Sequence, residues 1–213
     1  MTLRCRHYRA SVGWLGGDLG VRAKRRGCEG CGGAAGILER AMKVIGLAGW
    51  SGAGKTTLLT RTIPLLNAQG VRVSVVKHAH HKFDVDVPGK DSWCHREAGA
   101  QEVLVSSGTR WALMHELRGA PEPGLDDLLA KMSPVDLVVV EGYKAGPHRR
   151  IEVHRAANGK PLLFPEDAGI VGIAADVAVE TALPWVHLDD IAAIATLLLQ
   201  SARPPAASSH AGR

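Results

Sequence analysis

The eight residues Gly49-Trp50-Ser51-Gly52-Ala53-Gly54-Lys55-Thr56 fit the pattern G-x-x-x-x-G-K-[ST], and no other feature restricts the fold of this chain as tightly. The pattern builds a phosphate-binding loop when a strand enters it and a helix leaves it. Both flanks comply: the apolar run Val44-Ile45-Gly46-Leu47-Ala48 reads as a buried strand, and Thr57-Leu58-Leu59 opens a helical pattern. A chain that turns sharply here, with its amides facing inward around an anion, needs residues without a β-carbon, which Gly49, Gly52 and Gly54 supply. The helix N-terminus adds unpaired N–H groups and partial positive charge. Lys55 is then expected to reach the β- and γ-phosphates of a nucleoside triphosphate, and the Thr56 hydroxyl to bind Mg²⁺.

From Lys43 onward apolar segments alternate with helical patterns, which predicts an α/β fold of the P-loop NTPase class, a mostly parallel sheet flanked by helices. Leu58, Leu59, Ile63 and Leu66 recur at helical spacing up to Gly70, with a kink expected at Pro64. Strands are expected at 71–76, 102–106, 111–114, 135–140, 150–155, 170–174 and 185–188. Helices are expected from Asp91, as a cap, to Gln101, then over 125–132 and 191–199. The second strand is expected to lie beside the first.

At 213 residues the chain accommodates one medium domain, placed at 42–202, with a core that needs neither disulfides nor metal. Residues 1–41 hold eight Lys or Arg against three acids, which accounts for the entire net charge of +5, so the remainder is neutral. A neutral body excludes bulk attraction to nucleic acid. The leader reads as a disordered extension or as sequence preceding a true start at Met42, and 203–213 reads as a disordered tail. Cys28-Glu29-Gly30-Cys31, with Cys5 and His7, is half of a zinc pattern in a segment lacking apolar periodicity, and a disordered extension is the favoured reading. No apolar stretch is long enough to span a bilayer and no signal-peptide pattern is present, so a cytoplasmic location is expected.

A triphosphate site needs a carboxylate for Mg²⁺ from a neighbouring strand. In open α/β sheets ligands sit beyond the carboxyl ends of the strands, which favours Glu141. Asp136, at the other end of the same apolar run, lies roughly 16 Å from that edge at about 3.3 Å per residue. Asp176, after a late strand, is weighed as a guanine reader against capping of the next turn, and capping is favoured. The polar connection 77–91 is too long to be a mere link. His78, His80 and His81 suit a transition metal, Lys77, His78 and Lys82 suit phosphate, and Asp86 suits Mg²⁺. Gly89-Lys90-Asp91-Ser92 adds a second Gly-Lys pair, making Lys90 and Asp91 candidate nucleotide contacts.

The segments AGWSGAGKTTLL, VKHAHHKFDVDVPGKDSW, REAGAQEVLVSS with RWAL, DLVVVEGYK and RIEVHR occur here in the order seen in MobB. Over about residues 42–200 the chain resembles that family, the adaptors of molybdopterin-guanine dinucleotide biosynthesis. It departs at Trp93-Cys94 and at Arg149-Arg150. The resemblance implies a dimeric GTP-binding protein of slow hydrolysis that assists MobA, the guanylyltransferase joining GMP to molybdopterin. It also implies phosphate contacts from Ser51, Gly52, Ala53, Gly54, Lys55, Thr56 and Thr57, and Mg²⁺ contacts from Thr56 and Glu141. The loop 77–91 becomes a surface for molybdopterin or MobA. Slow turnover fits a loop with no evident water-positioning Gln or in-cis arginine finger nearby. Two other classes stay open from the residues themselves: a GTPase metallochaperone with His78, His80 and His81 as ligands, and a small-molecule kinase with Asp84 or Asp86 as base.

Overall fold

The computed structural model describes residues 41–79, 83–143 and 146–205. Six strands form one sheet: β1 (Lys43–Ala48), β2 (Val73–Lys77), β5 (Leu137–Glu141), β6 (Arg150–His154), β7 (Ile170–Ala175) and β8 (Trp185–His187), in the order β2-β5-β1-β6-β7-β8. Every pairing within it is parallel. Parallel strands need crossovers, and the helices that supply them cover the faces. On one face α1 (Lys55–Ala68) and α4 (Ile191–Ser201) pack Leu58, Leu59, Leu66, Ile194, Leu197 and Leu198 against Ile45, Val139, Ile151 and Val153. On the other, α3 (Leu125–Leu129) sets Leu129 on Val44, Val138 and Val140. Alternate residues of β5 therefore serve opposite faces, and Leu137 to Val140 are all buried, which is why this strand reads as an unbroken apolar run.

Three expectations are corrected. The second strand does not lie beside the first: β5 sits between them, with Leu137 opposite both Lys43 and Val73. Parallel crossover geometry constrains handedness but leaves room for a later strand to insert. The helix α2 (Asp91–Glu97) is capped at Lys90, so Asp91 occupies its first turn, where a carboxylate favours the helix dipole without capping it. It also ends before Gln101, at Ala98. Pro64 lies within α1, which continues through it to Ala68.

The remaining strands, β3 (Glu102–Ser106) and β4 (Trp111–His115), form a separate antiparallel hairpin with Leu104 opposite Leu113 and Ser106 opposite Trp111. At the other end of the domain, Arg203 exchanges backbone hydrogen bonds with Val44 at 2.7 and 3.1 Å. Residues 1–40 and 206–213, on which the expected leader and most of the expected tail fall, lie outside the described residues.

Candidate functional site

The loop 49–54 leaves the carboxyl end of β1, a central strand, and turns directly into α1. Its glycines are required by position. Gly49 has φ 138°, and a β-carbon there would meet the Val153 carbonyl oxygen of β6 at 2.4 Å. Gly52 and Gly54 adopt φ 81° and 93°, and Gly54 is the N-cap of α1. The loop is closed by Ala53 N–H donating to the Trp50 carbonyl (3.2 Å), and its base is buried through Ala53. Lys55 Nζ folds back onto the carbonyls of Gly49 (2.7 Å) and Trp50 (3.1 Å). No acid occupies the first turn of α1. Ser51, Gly52, Thr56 and Thr57 are exposed there, so the helix N-terminus faces outward as an anion-receptive surface.

Glu141 ends β5 one strand away, in register with Leu47 of β1 and Lys77 of β2. Its carbonyl accepts from His78 N–H at 2.8 Å, and Gly142, at φ 107°, lets the chain pass closely by His78. Asp136 sits at the opposite end of the strand, where its carboxylate accepts from Arg72 N–H (2.9 Å) and Nε (3.1 Å). That bond ties the β2 entry to the β5 entry, remote in register from the loop.

A second wall comes from the turn after β6. Asn158 Nδ2 donates to the Ser51 carbonyl at 3.3 Å, and Trp50 Nε1 donates to the Pro161 carbonyl at 2.9 Å. Lys160 Nζ lies 5.8 Å from the Trp50 ring centroid. This strap is anchored underneath by Glu152, fully buried, whose carboxylate accepts from Leu163 N–H (2.7 Å) and Phe164 N–H (2.9 Å). The Arg155 guanidinium lies beside Gly54, 3.5 Å from where a β-carbon would stand. Asp176, at the end of β7, accepts from Ala156 N–H at 2.8 Å and pairs with Arg155 at 3.7 Å. It thus bonds the turn after β6. Arg155 and Asn158 were not legible as site residues because the contact spans more than a hundred residues of chain. The available signal was their place just past the carboxyl end of a strand, in RIEVHRAAN.

The connection after β2 is organised by one side chain. Arg96, itself mostly buried, binds Asp84 through Nη2 (2.9 and 2.8 Å), Asp86 through Nε (3.3 Å) and Glu116 through Nη1 (3.0 Å). Ser92 Oγ donates to Asp86 at 2.8 Å. Hydrogen bonding to Arg96 holds the Asp84 carboxyl below its ordinary value, which weakens it as a proton acceptor. The two carboxylates that the kinase reading takes as bases, one of them also read for Mg²⁺, are thus both engaged by Arg96. His78 Nε2 meets Glu122 Oε1 at 2.7 Å and its ring lies 4.8 Å from that of Tyr143. His80, His81 and Lys82 lie outside the described residues, as do Cys5, His7, Cys28 and Cys31. Among the described residues no group of three or more His, Cys, Asp or Glu side chains is arranged to hold a metal. Lys90 and Asp91 stand exposed at the start of α2. No helix among the described residues is long and apolar enough to cross a membrane.

A parallel sheet whose central strand runs through a glycine loop into a helix, with the loop lysine at its mouth, defines a P-loop NTPase fold. Within that class, residues 44–176 match the family described as molybdopterin guanine dinucleotide synthesis protein B, MobB. The chain is 38% identical over 160 residues to the molybdopterin-guanine dinucleotide biosynthesis adapter protein of Escherichia coli K12, covering 74% of this chain and 91% of that protein. It is 39% identical over 166 residues to the adapter protein of Haemophilus influenzae, covering 76% and 90%. A crystal structure of molybdopterin-guanine biosynthesis protein B superposes with a TM-score of 0.60 at 29% identity, over 74% of this chain and 98% of that one. A MobB homologue from Bacillus stearothermophilus gives 0.54 at 27% identity, over 74% and 95%. The chain belongs to the MobB family.

Proposed function

We propose that this chain binds GTP with Mg²⁺ and acts as a cytoplasmic, homodimeric adaptor to MobA, the guanylyltransferase that joins GMP to molybdopterin, with at most slow GTP hydrolysis of its own. One observation carries the reading: the exposed N-terminus of α1, with Lys55 at the loop mouth, faces outward at the same sheet edge where Glu141 ends the adjacent strand β5. Ser51, Gly52, Ala53, Gly54, Lys55, Thr56 and Thr57 hold the phosphates in this reading, and Thr56 and Glu141 hold Mg²⁺. Lys90 and Asp91 are additional nucleotide contacts. The connection 77–91, with Glu122 bonded to His78, offers a surface to MobA or to molybdopterin.

The dimer is placed on the hairpin. Leu104, Trp111 and Leu113 share one face of β3–β4 and are 60%, 63% and 46% exposed. A lone two-stranded hairpin is marginal in water, and a second copy would cover that face. Titration calorimetry with GTP and Mg²⁺ tests the core of the reading. Wild type is expected to bind, and Lys55→Ala to lose at least about a hundredfold in affinity while keeping the native melting temperature. Retained affinity in Lys55→Ala would refute the placement of the nucleotide. Capture of MobA by the wild-type chain, scored with and without GTP, tests the adaptor role.

A further inference from the structure

We propose that Arg155 is a nucleotide-binding residue of this site, a second cation for the polyphosphate that stands at the far end of the loop from Lys55. The inference rests on the nucleotide reading above and extends it to a residue outside the loop.

The positions of the charges carry it. Lys55 Nζ lies at the entry of the loop, on the Gly49 and Trp50 carbonyls. Arg155 stands at its exit: a β-carbon on Gly54 would lie 3.5 Å from Nη2 and 3.9 Å from Nε. Gly54 is the N-cap of α1, so the guanidinium rests against the positive end of a fourteen-residue helix whose first turn contains no acid. Positive elements thus stand at both ends of the loop, an arrangement that suits an anion bound between them. Asp176 pairs with Arg155 at 3.7 Å, a long contact with side chains 42% and 24% exposed, and such solvated pairs contribute little. Asp189 is hydrogen-bonded to Arg61 at 3.0 Å and reaches Arg155 only through space. A bound polyphosphate adds a complement shared by the guanidinium and the helix end.

The turn that presents Arg155 is already in place. Asn158 Nδ2 bonds the Ser51 carbonyl, and Asp176 accepts from Ala156 N–H, so both sides of Arg155 are tethered, one to the loop and the other to β7. The Arg155 side chain is 42% exposed, and its 3.7 Å pair with Asp176 is long enough to be exchanged for a ligand oxygen. A planar, forked donor suits that exchange, since it can hold two oxygens at once.

Calorimetry on the full chain, with GTP and Mg²⁺, decides it. Arg155→Ala is expected to weaken GTP binding about ten- to a hundredfold, the range for one charged hydrogen-bonding partner. Arg155→Lys should recover a large part of that loss. The deficit should shrink as NaCl rises from about 0.05 to about 0.5 M, because a charge contact with a solvated ligand is screened. If alanine lowers the melting temperature, Arg155→Gln, which keeps the length of the side chain, replaces it. Equal GTP affinity in wild type and the Arg155 variants overturns the proposal, and so does a loss that is independent of salt and not restored by lysine. Failure of wild type to bind GTP would overturn the nucleotide reading and this proposal together, whereas binding that is lost in Lys55→Ala and kept in Arg155→Ala overturns only this one.

Discussion

His148 shows how one residue explains another. A glycine inside a buried strand usually signals a close approach, and Gly46 in β1 is such a case: a β-carbon there would stand 2.6 Å from His148 Nε2. The ring fills that space at a cost, because its Nδ1 is buried without a hydrogen-bond partner among the described residues. Burial, aided by the positive charge of Arg150, holds the His148 pKa below its ordinary value of 6.5. The native state therefore binds this proton less readily than the unfolded chain does, and stability falls as pH drops below about 6.5 towards the folded value. Replacing His148 with Gln should remove that part of the pH dependence. Urea midpoints at about pH 7.5 and 5.5 should differ less in the variant than in wild type, and an unchanged difference would show that His148 does not titrate with folding.

At the scale of elements, the wall opposite the loop depends on a buried carboxylate. Glu152 faces the interior from the middle of β6 and accepts two backbone N–H groups, those of Leu163 and Phe164, which fixes the return of the strap to the sheet. The same strap supplies Asn158 to Ser51 and the Pro161 carbonyl to Trp50. Removing the carboxylate leaves two amides unpaired in the interior, so Glu152→Ala is expected to cost about 3 kcal/mol. Glu152→Gln, which keeps one accepting oxygen, should cost roughly half as much. Chemical denaturation of both variants checks the order. A smaller loss for alanine than for glutamine would mean that the strap is held elsewhere, for example by the Trp50 contact.

The whole molecule divides its apolar surface unevenly. The central strands of the six-stranded sheet are covered on both faces, whereas the β3–β4 hairpin leaves Leu104, Trp111 and Leu113 in solvent on one face and Val105 on the other. Val103 and Met114, on the opposite face of the same pair, are half-buried. A charge at Leu104 therefore disturbs the outward face and not the fold. Leu104→Asp is expected to convert the proposed dimer to monomer in light scattering while leaving the melting temperature within a few degrees and GTP affinity unchanged within about twofold. A dimer that survives this substitution would have to use another surface.

Much of this protein is legible along the chain because its determinants are contiguous. The loop 49–56 carries its own glycines, lysine and flanking apolar runs, so strand, turn and helix follow from local patterning, and the unbroken run Leu137 to Val140 announces a strand buried on two faces. The same locality separates Glu141 from Asp136, since position along one strand decides which acid meets the ligand edge. Spatial neighbours across the sheet are another matter. That β5 inserts between β2 and β1, that Arg96 gathers Asp84, Asp86 and Glu116, and that Arg155 and Asn158 reach a loop about a hundred residues earlier are settled by tertiary packing. Sequence pattern encodes which face of an element is apolar and where the chain turns. It does not encode which distant polar side chains share an edge, because that depends on strand order, and strand order is chosen by the summed packing of the whole sheet.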